Sequence, residues 1–174
     1  MTEIPFFKSV IIMSFSCPHC GYRNSEIQNG GQLEEFGVEI KLRVTSKDDL
    51  QRDIVRGEWA STYIPELELE IPALKKGHMS TLEGFLTSFR DDLRMGQEQR
   101  MKQNPDYANQ IEEFLRKLDK YIEVDEDILP FTFRLCDPSG NSYVQNPKAP
   151  EVDPNLQVIK FNRTKEQLIV RRNI

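Results

Sequence analysis

Cysteine and histidine are scarce in this chain: three cysteines (Cys17, Cys20, Cys136) and two histidines (His19, His78) in 174 residues. Three cysteines at this length exclude a disulfide scaffold and point to reduced thiols, as in cytosol or nucleus. No apolar run approaches the roughly 20 residues of a membrane-spanning helix. The opening "MTEIPFFKSVIIMSF" lacks the small-residue cleavage pattern of a signal peptide. Basic residues are outnumbered, 23 Lys and Arg against 28 Asp and Glu, and no basic run is longer than a pair such as Arg171-Arg172. A net charge of -5 therefore speaks against the basic face of a nucleic-acid binder. There is no G-x-x-x-x-G-K-S/T loop, no Rossmann glycine pattern, and no Ser/His/Asp or Cys/His arrangement at recognisable spacing.

What is present is a charged fraction of 29% with a mean hydropathy of -0.56, which reads as a soluble chain. A hydrophobic fraction of 38% is enough for the core of one ordinary domain, or one domain plus a small appendage. "VIIMSF" (Val10 to Phe15) is a short β-rich run leading into the first cysteine. Val38 to Val44 alternates apolar and charged residues, the mark of a strand with one buried face. "ELELEI" repeats that alternation, with Leu67, Leu69 and Ile71 on one side and Pro65 and Pro72 placing it near a sheet edge. Trp59 and Tyr63 read as core or sheet aromatics.

The period then changes. Leu82, Phe85, Leu86, Phe89 and Leu93 fall at helical spacing behind Ser80-x-x-Glu83, a capping-box pattern. Asn104-Pro105 starts a second helix, with Asn104 as N-cap and a stripe of Tyr107, Ile111, Phe114, Leu115, Leu118 and Ile122. Together they predict an αα-hairpin over residues 80–123. Period two returns at Phe131 to Leu135, followed by the turn-rich "CDPSGNSYVQNPKAPEVDPN" and a last strand around "LQVIKF". Strands on both sides of a helical pair predict a β domain with an inserted hairpin, not alternating βαβ units.

Cys17-Pro18-His19-Cys20 admits two chemistries. A redox dithiol needs its first cysteine at a helix N-terminus, where the dipole lowers the thiol pKa. The residues after Cys20 contain one aliphatic side chain, Ile27, before Asn29-Gly30-Gly31, and cannot build an amphipathic helix. A zinc knuckle fits better: two thiolates grip the ion, and Gly21 permits the positive φ such turns use. Four ligands close a structural site, however, and the knuckle supplies two. His19 faces outward in such a turn; Cys136 reads as a small buried hydrophobe and His78 as a solvated loop residue.

"IPFFKSVIIMSFSCPHCGYRNSEIQNGG", "VTSKDDLQRDIVRGEWA", "IPELELEIP", "STLEGFL" and "DPSGNSYVQNPKAPEVDPNLQVIKFNRTKEQ" together resemble the ZPR-type zinc-finger proteins over nearly the whole chain. The resemblance implies a mainly β fold with an α insertion. A four-cysteine zinc ribbon would be followed by a double-stranded β-helix, a cupin-like barrel carrying a helical hairpin. It would divide the chain into a truncated ribbon over residues 1–30 and a β domain over 31–174. Relative to the family pattern the upstream C-x-x-C and a second module are missing, so Cys17 and Cys20 alone carry over as zinc ligands. The expectation is that zinc is held only when a partner or second copy completes the site. A cupin-like oxygenase would need two histidines and a carboxylate on one metal. His19 lies in the finger and His78 before the helix cap, so no enzyme is expected.

The resemblance implies a protein-interaction role: an assembly factor binding the alpha subunit of translation elongation factor 1, with receptor tyrosine kinase tails and nuclear complexes as further partners, in cytoplasm and nucleus. Two segments are candidate partner surfaces. One is the polar finger tip with Arg23, Asn24 and Glu26. The other is Tyr143, Asn146 and Pro147, whose side chains a turn does not require. A redox dithiol and a nucleic-acid-binding finger are the alternatives.

Overall fold

The structure, a computed structural model, describes residues 10–16, 18–19, 23–29, 33–74, 76–164 and 167, with 10–16 and 23–29 as backbone only. In chain order the elements are β1 (Val10–Ser16), β2 (Arg23–Asn29), β3 (Gly37–Val44), α1 (Lys47–Leu50), β4 (Asp53–Arg56), β5 (Ser61–Ile64), β6 (Leu69–Ile71) and β7 (His78–Thr81). Then come α2 (Leu82–Arg94), α3 (Gln97–Gln103), α4 (Pro105–Glu123), β8 (Phe131–Asp137), β9 (Tyr143–Val144) and β10 (Leu156–Phe161). Every pairing is antiparallel, in three sheets ordered β1-β2, β10-β3-β8-β5-β6 and β7-β4-β9.

The alternation of β3 is what holds the large sheet in register. Val38, Ile40, Leu42 and Val44 are all buried, and β8 sets Leu135, Phe133 and Phe131 opposite Ile40, Leu42 and Val44. One buried face then belongs to both strands, and a one-residue slip would turn all of it outward. Ile54 and Val144 from the small sheet join the same core, together with Leu82, Phe85 and Leu86 of α2 and Leu118, Tyr121 and Ile122 of α4. Each such side chain contributes roughly 1.5–3 kcal/mol on burial. The two larger sheets thus share one core as an open double layer, with α2, α3 and α4 inserted between β7 and β8, as the double-stranded β-helix expectation required. No helix among the described residues is long and apolar enough to cross a membrane.

The hairpin departs from the expectation at three points. The N-cap of α2 is Thr81, whose Oγ1 accepts from the Gly84 N–H at 3.1 Å; Ser80 lies in β7. The expected box partner Glu83 instead accepts from Gln51 Nε2 at 2.6 Å. The first helix also breaks at Met95-Gly96, where Gly96 takes φ +78°, leaving α3 as a separate element of about two turns with no buried residue. On α4 the cap holds: Asn104 Oδ1 accepts from the Tyr107 N–H at 3.2 Å with Pro105 at the first position. Its stripe is rotated, however: Ala108 and Tyr121 are buried while Tyr107 is 53% exposed. Arg90 and Arg94 reach across from α2 to the Asp119 carboxylate at 3.2 and 2.7 Å, clamping the two long helices.

"ELELEI" keeps its two faces without being one strand. Pro65–Leu67 is a 3-10 turn, Glu68 sits in the left-handed region at φ 52°, and only Leu69–Ile71 pairs, at the sheet edge beside β5.

Candidate functional site

The β1-β2 hairpin pairs Ser16 with Arg23, and Pro18 and His19, between the two strands, lie exposed in a turn. Cys17 and Cys20 lie outside the described residues. A tight turn between two paired strands is the frame a zinc knuckle uses, and the donors fit half of a tetrahedral thiolate site. Among the described residues no group of three or more His, Cys, Asp or Glu supplies the remainder. Cys136 is half-buried in β8, where burial and then the Glu39 carboxylate push its thiol pKa up. Arg23, Asn24 and Glu26 are not a projecting tip: they belong to β2, opposite Ser16, Phe15 and Met13. Ladder bonds are made by backbone, so the apolar β1 recruits a polar partner strand that composition alone reads as loop.

The second candidate segment is held from within. Asp137, fully buried, accepts from the Ser139 N–H at 2.7 Å and the Ser142 hydroxyl at 2.6 Å, and that hydroxyl accepts from the Gly57 N–H at 2.9 Å. A Cβ on Gly57 would meet Asp137 Oδ2 at 2.6 Å, so glycine is required by contact. Gly140, at φ +79°, turns the chain over the Phe36 carbonyl. Arg163 closes the loop, donating to the carbonyls of Pro138, Glu35 at 3.0 Å and Glu34 at 2.5 Å. Tyr143 pairs with Val55 in β9, and the exposed Pro147 sits in the following turn. Asn146 has a turn role the sequence did not show: its amide donates to the Glu151 carbonyl at 2.8 Å and its carbonyl accepts from the Lys148 N–H at 2.9 Å.

Two arginines, Arg52 just before β4 and Arg56 at its end, are almost completely buried. Arg52, 5% exposed, is saturated by acids: Nε and Nη2 donate to Asp49 Oδ1 at 2.9 and 2.6 Å, and Nη1 pairs with Asp153 Oδ2 at 2.6 Å. Burial pushes the Asp49 carboxyl upward, but the Thr45 N–H and the Arg52 guanidinium outweigh it and hold the pKa below its usual value. Asp153 behaves alike through the Asn155 N–H, Arg52 and Lys148.

Arg56, 1% exposed, donates through Nε to Thr62 Oγ1 at 3.3 Å and through Nη2 to the Pro72 carbonyl at 2.6 Å. Among the described residues Nη1 donates to none, and no carboxylate is hydrogen-bonded to this cation. Burial lowers its pKa, and the charge of Asp137 opposes the drop.

Arg56 lines a cleft of about 250 Å³ between β7, α2 and the segment around 71–77. Ile71, Leu74, Phe85 and Phe89 form its apolar wall, and Ser88, Lys76 and Asp92 its exposed rim. His78 lines it too, and is not the solvated loop residue the sequence suggested. It opens β7 opposite Arg56, and its ring packs on Phe85 at 5.9 Å between centroids. Its Nε2 is buried without a hydrogen-bond partner among the described residues. Burial and then the Arg56 charge lower its pKa, with Asp92 opposing, so the imidazole is neutral at pH 7.

Comparison with known proteins agrees with both halves of the chain. Residues 1–35 match the ZPR1 zinc-finger domain and residues 48–170 the ZPR1 jelly-roll domain. The human zinc finger protein ZPR1 is 42% identical over 168 residues, covering 96% of this chain and 36% of that protein. The zinc finger chaperone zpr1 of Schizosaccharomyces pombe is 36% identical over 167 residues, covering 96% of this chain and 35% of that protein. An uncharacterized ZPR1-like protein of Pyrococcus horikoshii is 34% identical over 145 residues, covering 80% and 62%. The chain thus spans about a third of the length of the eukaryotic relatives it matches. Those relatives are named as zinc finger proteins or a chaperone, not as enzymes.

Proposed function

This chain belongs to the ZPR1 zinc-finger family, and from that membership we propose that it is a protein-interaction module of an assembly factor for the alpha subunit of translation elongation factor 1. The observation that carries the reading is the match to both family domains together with a relative named a chaperone. The fold is suited to such work. The β core carries the finger hairpin before it in the chain and the helical insertion packed on it, whose α3 has no buried residue. Receptor tyrosine kinase tails and nuclear complexes are further partners under the same reading, which places the protein in cytoplasm and nucleus.

Cys17 and Cys20 hold zinc in this reading as one half of a four-thiolate site, completed by a partner or a second copy. Calorimetric titration of the purified chain with elongation factor 1 alpha tests the interaction. Saturable binding near one to one is expected, and no heat at the highest soluble concentration overturns it. Metal content read beside the mass from light scattering tests the zinc site. Zinc is expected only in dimers or complexes, and one zinc per monomer after dialysis refutes the half-site.

A further inference from the structure

The cleft beside α2 contains two buried polar groups that neither the fold nor the interaction reading uses. Arg56 is 1% exposed, borders the cleft, and among the described residues meets a hydroxyl and a carbonyl by hydrogen bond. Asp137 offsets its charge at longer range but is itself engaged by Ser139 and Ser142. His78 lines the same cleft, and its Nε2 is buried without a hydrogen-bond partner among the described residues. The opposite wall is apolar, and its Leu74 is 56% exposed although it borders the cleft. A buried cation short of acceptors beside a greasy wall is complementary to one kind of group.

We propose that this cleft is a ligand site for a carboxylate joined to an apolar group, the carboxylate accepting from Arg56 beside the His78 ring and the apolar part lying on Leu74, Phe85 and Phe89. At about 250 Å³ the space falls below the roughly 300–1,000 Å³ of a drug-sized pocket, so the occupant is one aromatic or branched group with its acid. Asp92 at the rim and Asp137 near Arg56 disfavour a dianionic phosphate, which would meet both. The occupant is either a free small acid or the C-terminal residue of a polypeptide. The site stands independently of elongation-factor binding.

Two histidines make the test direct. In protein labelled at the histidine ring carbons, one signal reports the cleft and the other, from exposed His19, the solvent. Phenylpropionate is expected to move the His78 signal saturably and to raise its pKa, because an anion beside the ring favours the imidazolium. His19 stays still. Phenylpropionamide, of the same shape without charge, binds about tenfold more weakly or not at all. Because Arg56→Met threatens the core, the fold-safe variant is Leu74→Asp, which sets a like charge at the mouth and weakens the acid about tenfold. A short peptide ending in a free Phe carboxyl that binds tighter than phenylpropionate identifies a polypeptide end, and the reverse order a small acid. A His78 signal indifferent to every acid, or equal binding of acid and amide, overturns the proposal.

Discussion

Arg52 gives the sharpest test of how the β domain is held. Removing it as Arg52→Met takes from the carboxylates of Asp49 and Asp153, 5% and 2% exposed, the guanidinium they share, with only the half-exposed Lys148 ammonium left at 3.6 Å from Asp153. Breaking a buried pair by deleting one partner costs about 3–5 kcal/mol, because the remaining charge stays desolvated. With a urea m-value of about 2 kcal/mol per molar, the unfolding midpoint should fall by about 1.5–2.5 M at pH 7. The sign with pH follows from linkage. In the parent both carboxyls have depressed pKa values, so their stabilisation is present above the unfolded value of 3.8 and disappears as pH falls through the folded values. In Arg52→Met, burial without the cation raises both pKa values, so protonation relieves the strain and the gap between variant and parent narrows on acidification. The triple variant Arg52→Met, Asp49→Asn, Asp153→Asn should recover much of the loss at neutral pH, since no charge remains. Urea titrations at pH 7 and pH 4.5 decide it. A loss under about 1 kcal/mol, or one equal at both pH values, refutes the buried-triad reasoning.

His78 loses protons more readily folded than unfolded, so its contribution falls away as pH drops below its ordinary 6.5 and through the lower folded pKa. Urea midpoints of the parent should decline over that window, above the carboxylate one, and His78→Gln should flatten the decline; an unchanged slope sinks the account. Thr81→Ala should lower stability by about 1 kcal/mol through loss of the α2 cap, more than Ser80→Ala does, as measured by urea melts of both. Leu118→Ala, in the fully buried seam of α4, should cost about 2–5 kcal/mol, whereas Met101→Ala on exposed α3 should leave the midpoint within error.

Where burial repeats with a clean period, the fold could be read. Val38 to Val44 and Phe131 to Leu135 are strands because alternation puts one face in the core, whereas Leu156 to Phe161 has no buried residue and is held by its pairing with β3. Asn104-Pro105 is a helix start because an amide acceptor and a residue without N–H meet the same orphaned turn. Short elements escaped. β4 and β9 have four and two residues, too few for a period, and β2 owes its conformation to β1, not to its own polar sequence. The Met95-Gly96 break was visible as a glycine, but a lone glycine inside a helical pattern is ambiguous until its φ of +78° is known. Thr81 and Ser80 are adjacent candidate caps, and only the chain direction leaving β7 selects between them.

The cleft was illegible for a different reason: its polar residues carry no spacing. Arg52 and Arg56 look alike in "QRDIVRGEW", two arginines around an apolar pair, and a solvated reading suits both. Folding separates them. β4 is the central strand of its sheet, so the arginines at its two ends are drawn inward, and each must find acceptors within the fold. Arg52 finds Asp49, Asp153 and the Gln145 carbonyl at 3.3 Å, which fills its fork and ties α1 to the turns after β9. Arg56 finds Thr62 and Pro72, both neutral, and its nearest histidine is neutral as well. A purely structural arginine at that depth would be expected to show the first pattern, since an under-satisfied buried cation destabilises the fold that contains it. That a chain which saturates one arginine leaves its neighbour four residues on with no carboxylate hydrogen-bonded to it among the described residues, at the edge of an open apolar cleft, is the reason to look for an anion outside the chain.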